Sequence, residues 1–196
     1  MLQASGTLKP LEAEVLDVIT ETDGRVFPGR AALFLDRDGV INERIVGGYV
    51  VELAQLRILE PFLGAFGGIS RGWDGPIVLI SNQAGVAKGL LDEAGLRAIM
   101  RRTVEVLGEH GIDVAAWYCC PHAPGDGCTC RKPLPGMFAL SAEQLGLRVE
   151  RACFVGDTDS DERAGRAARC ATFIVDPAVP ESFAAARAFV DRELAG

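Results

Sequence analysis

The chain has 196 residues, 48% of them hydrophobic and 24% charged, with 27 acidic against 20 basic side chains and a formal net charge of −7. That length suits a self-sufficient domain burying roughly 70% of its unfolded surface, and the acidic balance argues against a nucleic-acid partner held through its phosphates. No stretch approaches the roughly 20 apolar residues of a membrane span. Met1 to Val15 also lacks the basic and apolar regions of a secretory signal, so a cytoplasmic protein, monomeric or weakly self-associating, is expected.

Residues 1–30 read as an N-terminal extension, in which Leu11, Val15, Val18 and Ile19 recur at helical spacing before the turn Thr22-Asp23-Gly24. Residues 31–196 read as the main domain. The apolar run Ala31 to Leu35 predicts a buried parallel strand that ends in Asp36-Arg37-Asp38-Gly39. Val40 to Glu52, two β-rich pieces around Gly47-Gly48, predicts a hairpin flap. A helix follows over Leu59 to Gly72, then a strand over Ile77 to Ile80 that ends in Ser81-Asn82-Gln83. Leu96, Ile99, Met100, Val104 and Leu107 place a strong helix over Asp92 to Gly108, stopped by Gly111, and Val114 to Tyr118 is the third strand.

Beyond a cysteine-rich loop, a helix is predicted through Met137 to Leu145 and a fourth strand over Ala152 to Val155, closing in Gly156-Asp157. Ser160 is a candidate cap for a helix running to about Ala168. A fifth strand over Thr172 to Val175 and a helix over Glu181 to Leu194 complete the chain. Strands alternating with helices predict an α/β fold, a three-layer sandwich around a mainly parallel, Rossmann-like sheet.

Three strand ends carry polar signatures, and in a parallel sheet those ends share one edge. Asp36, Asp38 and Asp157 offer hard oxygen ligands to Mg²⁺, which keeps room for the oxygens of a phosphate. One aspartate can then attack phosphorus while a second protonates the leaving alcohol. Asp36 suits the nucleophile and Asp38 the general acid and base. Ser81 and Asn82 would hydrogen-bond the phosphoryl oxygens and Lys132 would balance developing charge, with Asp161 orienting Lys132 or a metal-bound water.

Asp36-Arg37-Asp38-Gly39, Ser81-Asn82, Lys132 and Gly156-Asp157-x-x-x-Asp161 resemble, in order, the four motifs of the haloacid-dehalogenase (HAD) phosphatases. The resemblance covers residue 33 to about 170. It implies a HAD-like phosphatase working through an aspartyl-phosphate, with Asp38 ligating Mg²⁺ through its backbone carbonyl beside the side chains of Asp36 and Asp157.

Cys120, His122, Cys128 and Cys130 supply three thiolates and an imidazole at C-x-H-x5-C-x-C spacing, a set that fits structural, tetrahedral Zn²⁺. Cys119 competes for the first ligand position, and free cysteines or a disulfide are the alternatives. Cys153 and Cys170 read as core thiols and His110 as a helix-end or surface residue. The loop runs directly into Arg131-Lys132-Pro133, so a metal there would clamp two cations at the crevice.

This loop narrows the resemblance to the heptose-1,7-bisphosphate 7-phosphatases and the histidinol-phosphate phosphatases. The segments around Asp36, Gly48-Tyr49-Val50, Ser81 to Gly89 and Cys130 to Met137 look like the heptose branch, whereas the short cysteine loop looks like the histidinol-phosphate branch. Thr158 stands where some heptose enzymes carry a lysine. The substrate implied is a small phosphorylated sugar, met by Asn82, Gln83 and the flap residues Glu43, Arg44, Gly47, Gly48 and Tyr49, with Arg131 on its distal phosphate. A reading of another class is a zinc-stabilised sugar-phosphate-binding protein without catalysis; the presence of both Asp36 and Asp38 argues against it.

Overall fold

The computed structural model describes residues 17–195. Six strands form one sheet in the order β1-β4-β3-β2-β5-β6, namely β1 (Ile19–Thr22), β2 (Leu33–Leu35), β3 (Ile77–Asn82), β4 (Val114–Cys120), β5 (Cys153–Gly156) and β6 (Ala171–Ile174). All neighbours are parallel except β1, which runs antiparallel along the outer edge of β4. The helices are α1 (Glu60–Phe66), α2 (Glu93–Glu109), α3 (Gly136–Leu145), α4 (Asp159–Ala168) and α5 (Glu181–Leu194).

Side chains alternate across a strand, and β2 shows the result: Leu33 and Leu35 enter one apolar cluster, Phe34 the other. Phe62, Leu96, Ile99 and Phe183 from α1, α2 and α5 complete the first cluster. Met137, Phe138 and Ala164 from α3 and α4 complete the second. Helices therefore cover both faces, and the buried strands read as continuous apolar runs because neither face meets water. Phe138 sits between Phe34 and Phe154 with edge-on contacts at 4.9 and 5.1 Å.

The chain moves from β2 to β3 to β4 in one direction and then returns to place β5 on the other side of β2. Strand order reverses between β2 and β5, the position at which open α/β sheets form a crevice beyond their carboxyl ends. Asp36 follows β2 and donates its backbone N–H to the Val155 carbonyl of β5 at 2.9 Å. Asp157 follows β5, so the first and last motifs meet at that reversal.

Several sequence expectations change. The helix expected through Leu11 to Ile19 lies mostly outside the described residues, and its end is replaced by a strand: Ile19 pairs with Cys119 and is buried. The flap is not a hairpin. Its arms find partners downstream instead, Glu43 N–H on the Arg57 carbonyl at 2.8 Å and Leu59 N–H on the Ile41 carbonyl at 2.9 Å. Among the described residues only the isolated bridges Asp38–Asn42 and Asn42–Ile58 remain outside the sheet, and the loop carries Val46 at its tip, 94% exposed.

The helix expected over Leu59 to Gly72 ends at Phe66, because Gly67 and the left-handed Gly68 break it before a short 3-10 turn at Ile69–Arg71. Thr158, rather than Ser160, caps α4: its side chain accepts from the Asp161 N–H while Asp161 reaches back to the Thr158 N–H. The last strand begins one residue earlier than expected, at Ala171. Among the described residues no helix is long and apolar enough to cross a membrane.

Candidate active site

Asp36 sits on the floor of a cavity of about 420 Å³ at the carboxyl edge of the sheet, a volume within the range of small-molecule sites. Lys132 Nζ bridges two carboxylates, 2.7 Å from Asp36 and 2.6 Å from Asp161, and also donates to the Ile80 carbonyl at 3.0 Å. All three side chains are almost fully buried. Burial pushes the Asp36 carboxyl up, Lys132 opposes it, and the charges on Asp161 and Asp38 add to the rise, which reaches about 6. Burial alone would lower the Lys132 ammonium, but Asp161 and Asp36 together hold it above its ordinary value.

Asp38 meets a different environment. Burial would raise its carboxyl, yet the buried Arg37 guanidinium, with hydrogen bonds from Asn42 and Gln83, holds it below the usual range. Arg37 Nη2 donates to it at 2.8 Å, Asn42 Nδ2 at 2.9 Å and Gln83 Nε2 at 2.8 Å. Arg37 is 0% exposed. Its hold on Asp38 was not legible in sequence, where it is one cation between two aspartates.

Asp157 reaches the site because Gly39 lacks a side chain: a methyl there would lie 1.9 Å from Asp157 Oδ2. Gly156 is required for a similar reason, since its methyl would lie 2.3 Å from the Asp161 Cβ. Burial and the charge on Asp36 push Asp157 up to about 7, against the opposing charge of Arg44. Carboxylate oxygens of Asp36, Asp157 and Asp161 all lie within 4.8 Å of one another. That crowding of buried acids suits a cation. Asp161, however, is already engaged by Lys132 and by the backbone N–H and hydroxyl of Thr158.

Ser81 and Asn82 line the cavity from the end of β3. Asn82 also ties β3 to the loop that follows β4, accepting from the Lys132 N–H and donating to the Lys132 carbonyl, both at 3.0 Å. Gln83, expected to face substrate, is 1% exposed, and its amide donates to Asp38 and, at 2.7 Å, to Ser81 Oγ. Gly48, Tyr49 and Arg131 do line the cavity, together with Arg44 and Lys88. Lys88 donates to the Tyr49 hydroxyl at 2.9 Å and lies over its ring, a contact absent from the sequence reading.

The cysteine loop closes on itself beside this cavity. Cys120 and Cys128 sulfurs are 3.8 Å apart, and His122 Nδ1 is 3.5 Å from Cys120 and 3.3 Å from Cys130. Tetrahedral zinc with bonds of about 2.3 Å to sulfur and 2.0 Å to nitrogen would set such pairs roughly 3.5 to 3.8 Å apart. The donor set therefore fits a metal. Cys119 is excluded from it by strand alternation, since it enters the α2 side of the sheet while Cys120 enters the α3 side. Arg131, immediately after the loop, donates to the His122 carbonyl at 3.0 Å.

The chain resembles known proteins. A family model described as HAD-hydrolase-like matches residues 129–185. The D-glycero-β-D-manno-heptose-1,7-bisphosphate 7-phosphatase of Pseudomonas aeruginosa is 38% identical over 147 residues, 74% of this chain and 81% of that protein. The chain belongs to this family of HAD phosphatases.

The crystal structure of the D,D-heptose 1,7-bisphosphate phosphatase of Bordetella bronchiseptica, complexed with magnesium and phosphate, superposes with a TM-score of 0.73 at 34% identity, covering 83% of this chain and 99% of that one. The HAD-like protein mll2559 of Mesorhizobium loti gives 0.78 at 29% identity, covering 90% and 94%. Membership makes the protein a phosphoric monoester hydrolase of the HAD phosphatase type.

Proposed function

We propose that this phosphatase removes the 7-phosphate of D-glycero-D-manno-heptose 1,7-bisphosphate, the β anomer first, in a Mg²⁺-dependent reaction through an aspartyl-phosphate. The observation that carries the chemistry is the buried Asp36 carboxylate at the cavity floor, aligned by Lys132 at 2.7 Å. The observation that supports a bisphosphate is the placing of further cations, Arg131, Arg44 and Lys88, around the same cavity.

Asp36, Asp157 and the Asp38 carbonyl would hold Mg²⁺, which supplies neutralisation of the phosphoryl oxygens. Asp36 attacks phosphorus, and the bond from phosphorus to the C7 oxygen breaks as its bond to Asp36 forms. Lys132 and the Ser81 hydroxyl stabilise the charge that develops on the non-bridging oxygens. Asp38 protonates the departing alkoxide and then takes a proton from the water that hydrolyses the acyl phosphate. Service as the acid requires Asp38 to leave the Arg37 guanidinium that favours its ionised form, turn into the cavity that it already lines, and take up a proton there before the alkoxide departs. Asn82 acts at one remove by fixing the Lys132 backbone.

Zn²⁺ bound by Cys120, His122, Cys128 and Cys130 would hold the loop from which Arg131 meets the distal phosphate. Steady-state kinetics on both anomers of heptose 1,7-bisphosphate, beside histidinol phosphate, test the substrate. The β-bisphosphate is expected to show the highest kcat/KM. Fast turnover of histidinol phosphate with an inert bisphosphate would overturn the assignment in favour of the branch that the short cysteine loop resembles.

A further inference from the structure

One side chain of the cavity wall stands among the groups assigned to the catalytic cation. Arg44 Nη2 donates to Asp157 Oδ1 at 2.6 Å and to the Asp38 backbone carbonyl at 3.3 Å. A single positively charged group therefore bridges two of the three oxygens that would ligate Mg²⁺. The choice of oxygen is not free, because Asp157 Oδ2 is turned against Gly39, where even a methyl would lie 1.9 Å away. Oδ1 is the oxygen that shares a partner with the Asp38 carbonyl.

The two ends of this ion pair differ. The Asp157 side chain is 3% exposed and that of Arg44 is 41% exposed, so the carboxylate is fixed in the floor while the guanidinium reaches it from the loop above. A buried carboxylate beside others is destabilising without a counter-charge, and Arg44 provides one. Mg²⁺ demands close, well-directed oxygens at about 2.1 Å. A guanidinium nitrogen on the same oxygens obstructs that approach and repels the ion.

We propose that Arg44 is an internal counter-ion for the metal site, holding Asp157 and the Asp38 carbonyl in the metal-free protein and giving way when Mg²⁺ enters. The displaced guanidinium turns toward the substrate cavity, whose wall it already forms, and joins Lys88 and Arg131 as a cation for an anionic substrate. Metal loading and substrate recognition are thereby coupled through one side chain. This inference rests on the assignment of Mg²⁺ to Asp36, Asp157 and the Asp38 carbonyl.

Calorimetric titration of the Mg²⁺-free protein with magnesium chloride, alongside thermal melts with and without Mg²⁺, tests it on the wild type, Arg44→Met and Arg44→Lys. Arg44→Met is expected to bind Mg²⁺ about five-fold or more tightly, the lower bound of an ordinary coupling between sites. Its metal-free Tm should fall below that of the wild type, and its gain in Tm on adding Mg²⁺ should be larger. Arg44→Lys, which keeps the charge, should return the affinity toward the wild-type value. If the wild type binds Mg²⁺ and Arg44→Met binds it no more tightly, Arg44 does not compete with the metal and the proposal fails while the metal assignment stands. Absence of Mg²⁺ binding in all three proteins would overturn the metal assignment and the proposal with it.

Discussion

Asp36 and Asp38 lie two residues apart and carry opposite shifts, because the chain turns away from the sheet past the end of β2 at Leu35 and gives them different neighbours. Asp36 remains at the buried floor beside Asp161, whereas Asp38 turns back onto Arg37, Asn42 and Gln83. Asp36→Asn keeps the shape and removes the charge proposed to attack phosphorus, so phosphate release should fall by on the order of 10³-fold or more, the scale of losing one member of a catalytic unit, with Tm retained. The raised groups also predict a pH dependence of stability in Mg²⁺-free buffer. Asp157 titrates from 3.8 in the unfolded chain to about 7 in the folded one, and Asp36 to about 6. Between those values the folded state binds more protons, so their contribution to stability is greatest below about pH 4 and is lost as pH rises toward 7. Asp38 and Asp161, whose folded values are depressed, act oppositely and lose their contribution only as pH falls through the acid range. Denaturant unfolding at several pH values should show the decline, and Asp157→Asn should flatten its upper part.

At the scale of the element, β4 divides two adjacent cysteines between two environments. Cys119 is sealed in the core, where burial pushes its thiol up to about 12, and Cys120 faces His122, Cys128 and Cys130. Metal analysis of the purified protein should find close to one zinc per chain; Cys128→Ser should lose it, and Cys119→Ala should keep it. Loss of zinc should also lower kcat, because the same loop leads into Arg131 and Lys132, whose hold on β3 runs through Asn82 and the Lys132 ammonium. Retention of full activity by zinc-free Cys128→Ser would separate the loop from the chemistry. Thr158 serves α4 in a comparable way. Its capping exchange with Asp161 fixes the carboxylate that holds Lys132, so a local helix start also orients a group in the active site.

For the whole molecule, a net charge of −7 surrounds a cavity lined by Arg44, Lys88, Arg131 and Lys132. The local field attracts phosphate while the distant field repels it, and salt screens charges separated by more than about 8 Å at physiological ionic strength. With exposed cations meeting a distal phosphate, kcat/KM for a bisphosphate should fall with rising salt more steeply than for a sugar monophosphate. Equal slopes would show that the outer cations do not read the second phosphate. The position of the cavity follows from topology: the strand order reverses beside β2, so four segments far apart in sequence deliver their polar ends to one crevice.

The local pattern of residues was sufficient for the buried strands, for α2 and α5, and for the order of the four motifs, since apolar periodicity and a strand stopped by carboxylates are short-range signals. The same was true of Cys120, His122, Cys128 and Cys130, whose spacing alone suggests a metal. Tertiary structure decided what depends on distant partners. Ile19 became an edge strand because Cys119 lies beside it, and the expected hairpin became a loop because Glu43 and Ile41 bond to Arg57 and Leu59. Gln83 was turned inward by Asp38 and Ser81. Arg44 was drawn onto Asp157, 113 residues away, a contact that no periodicity or spacing encodes. Hydrogen bonds and ion pairs of this kind form between groups that the fold brings together, so the chemistry of each strand end was readable from its own residues, whereas the partners that tune it were readable only in space.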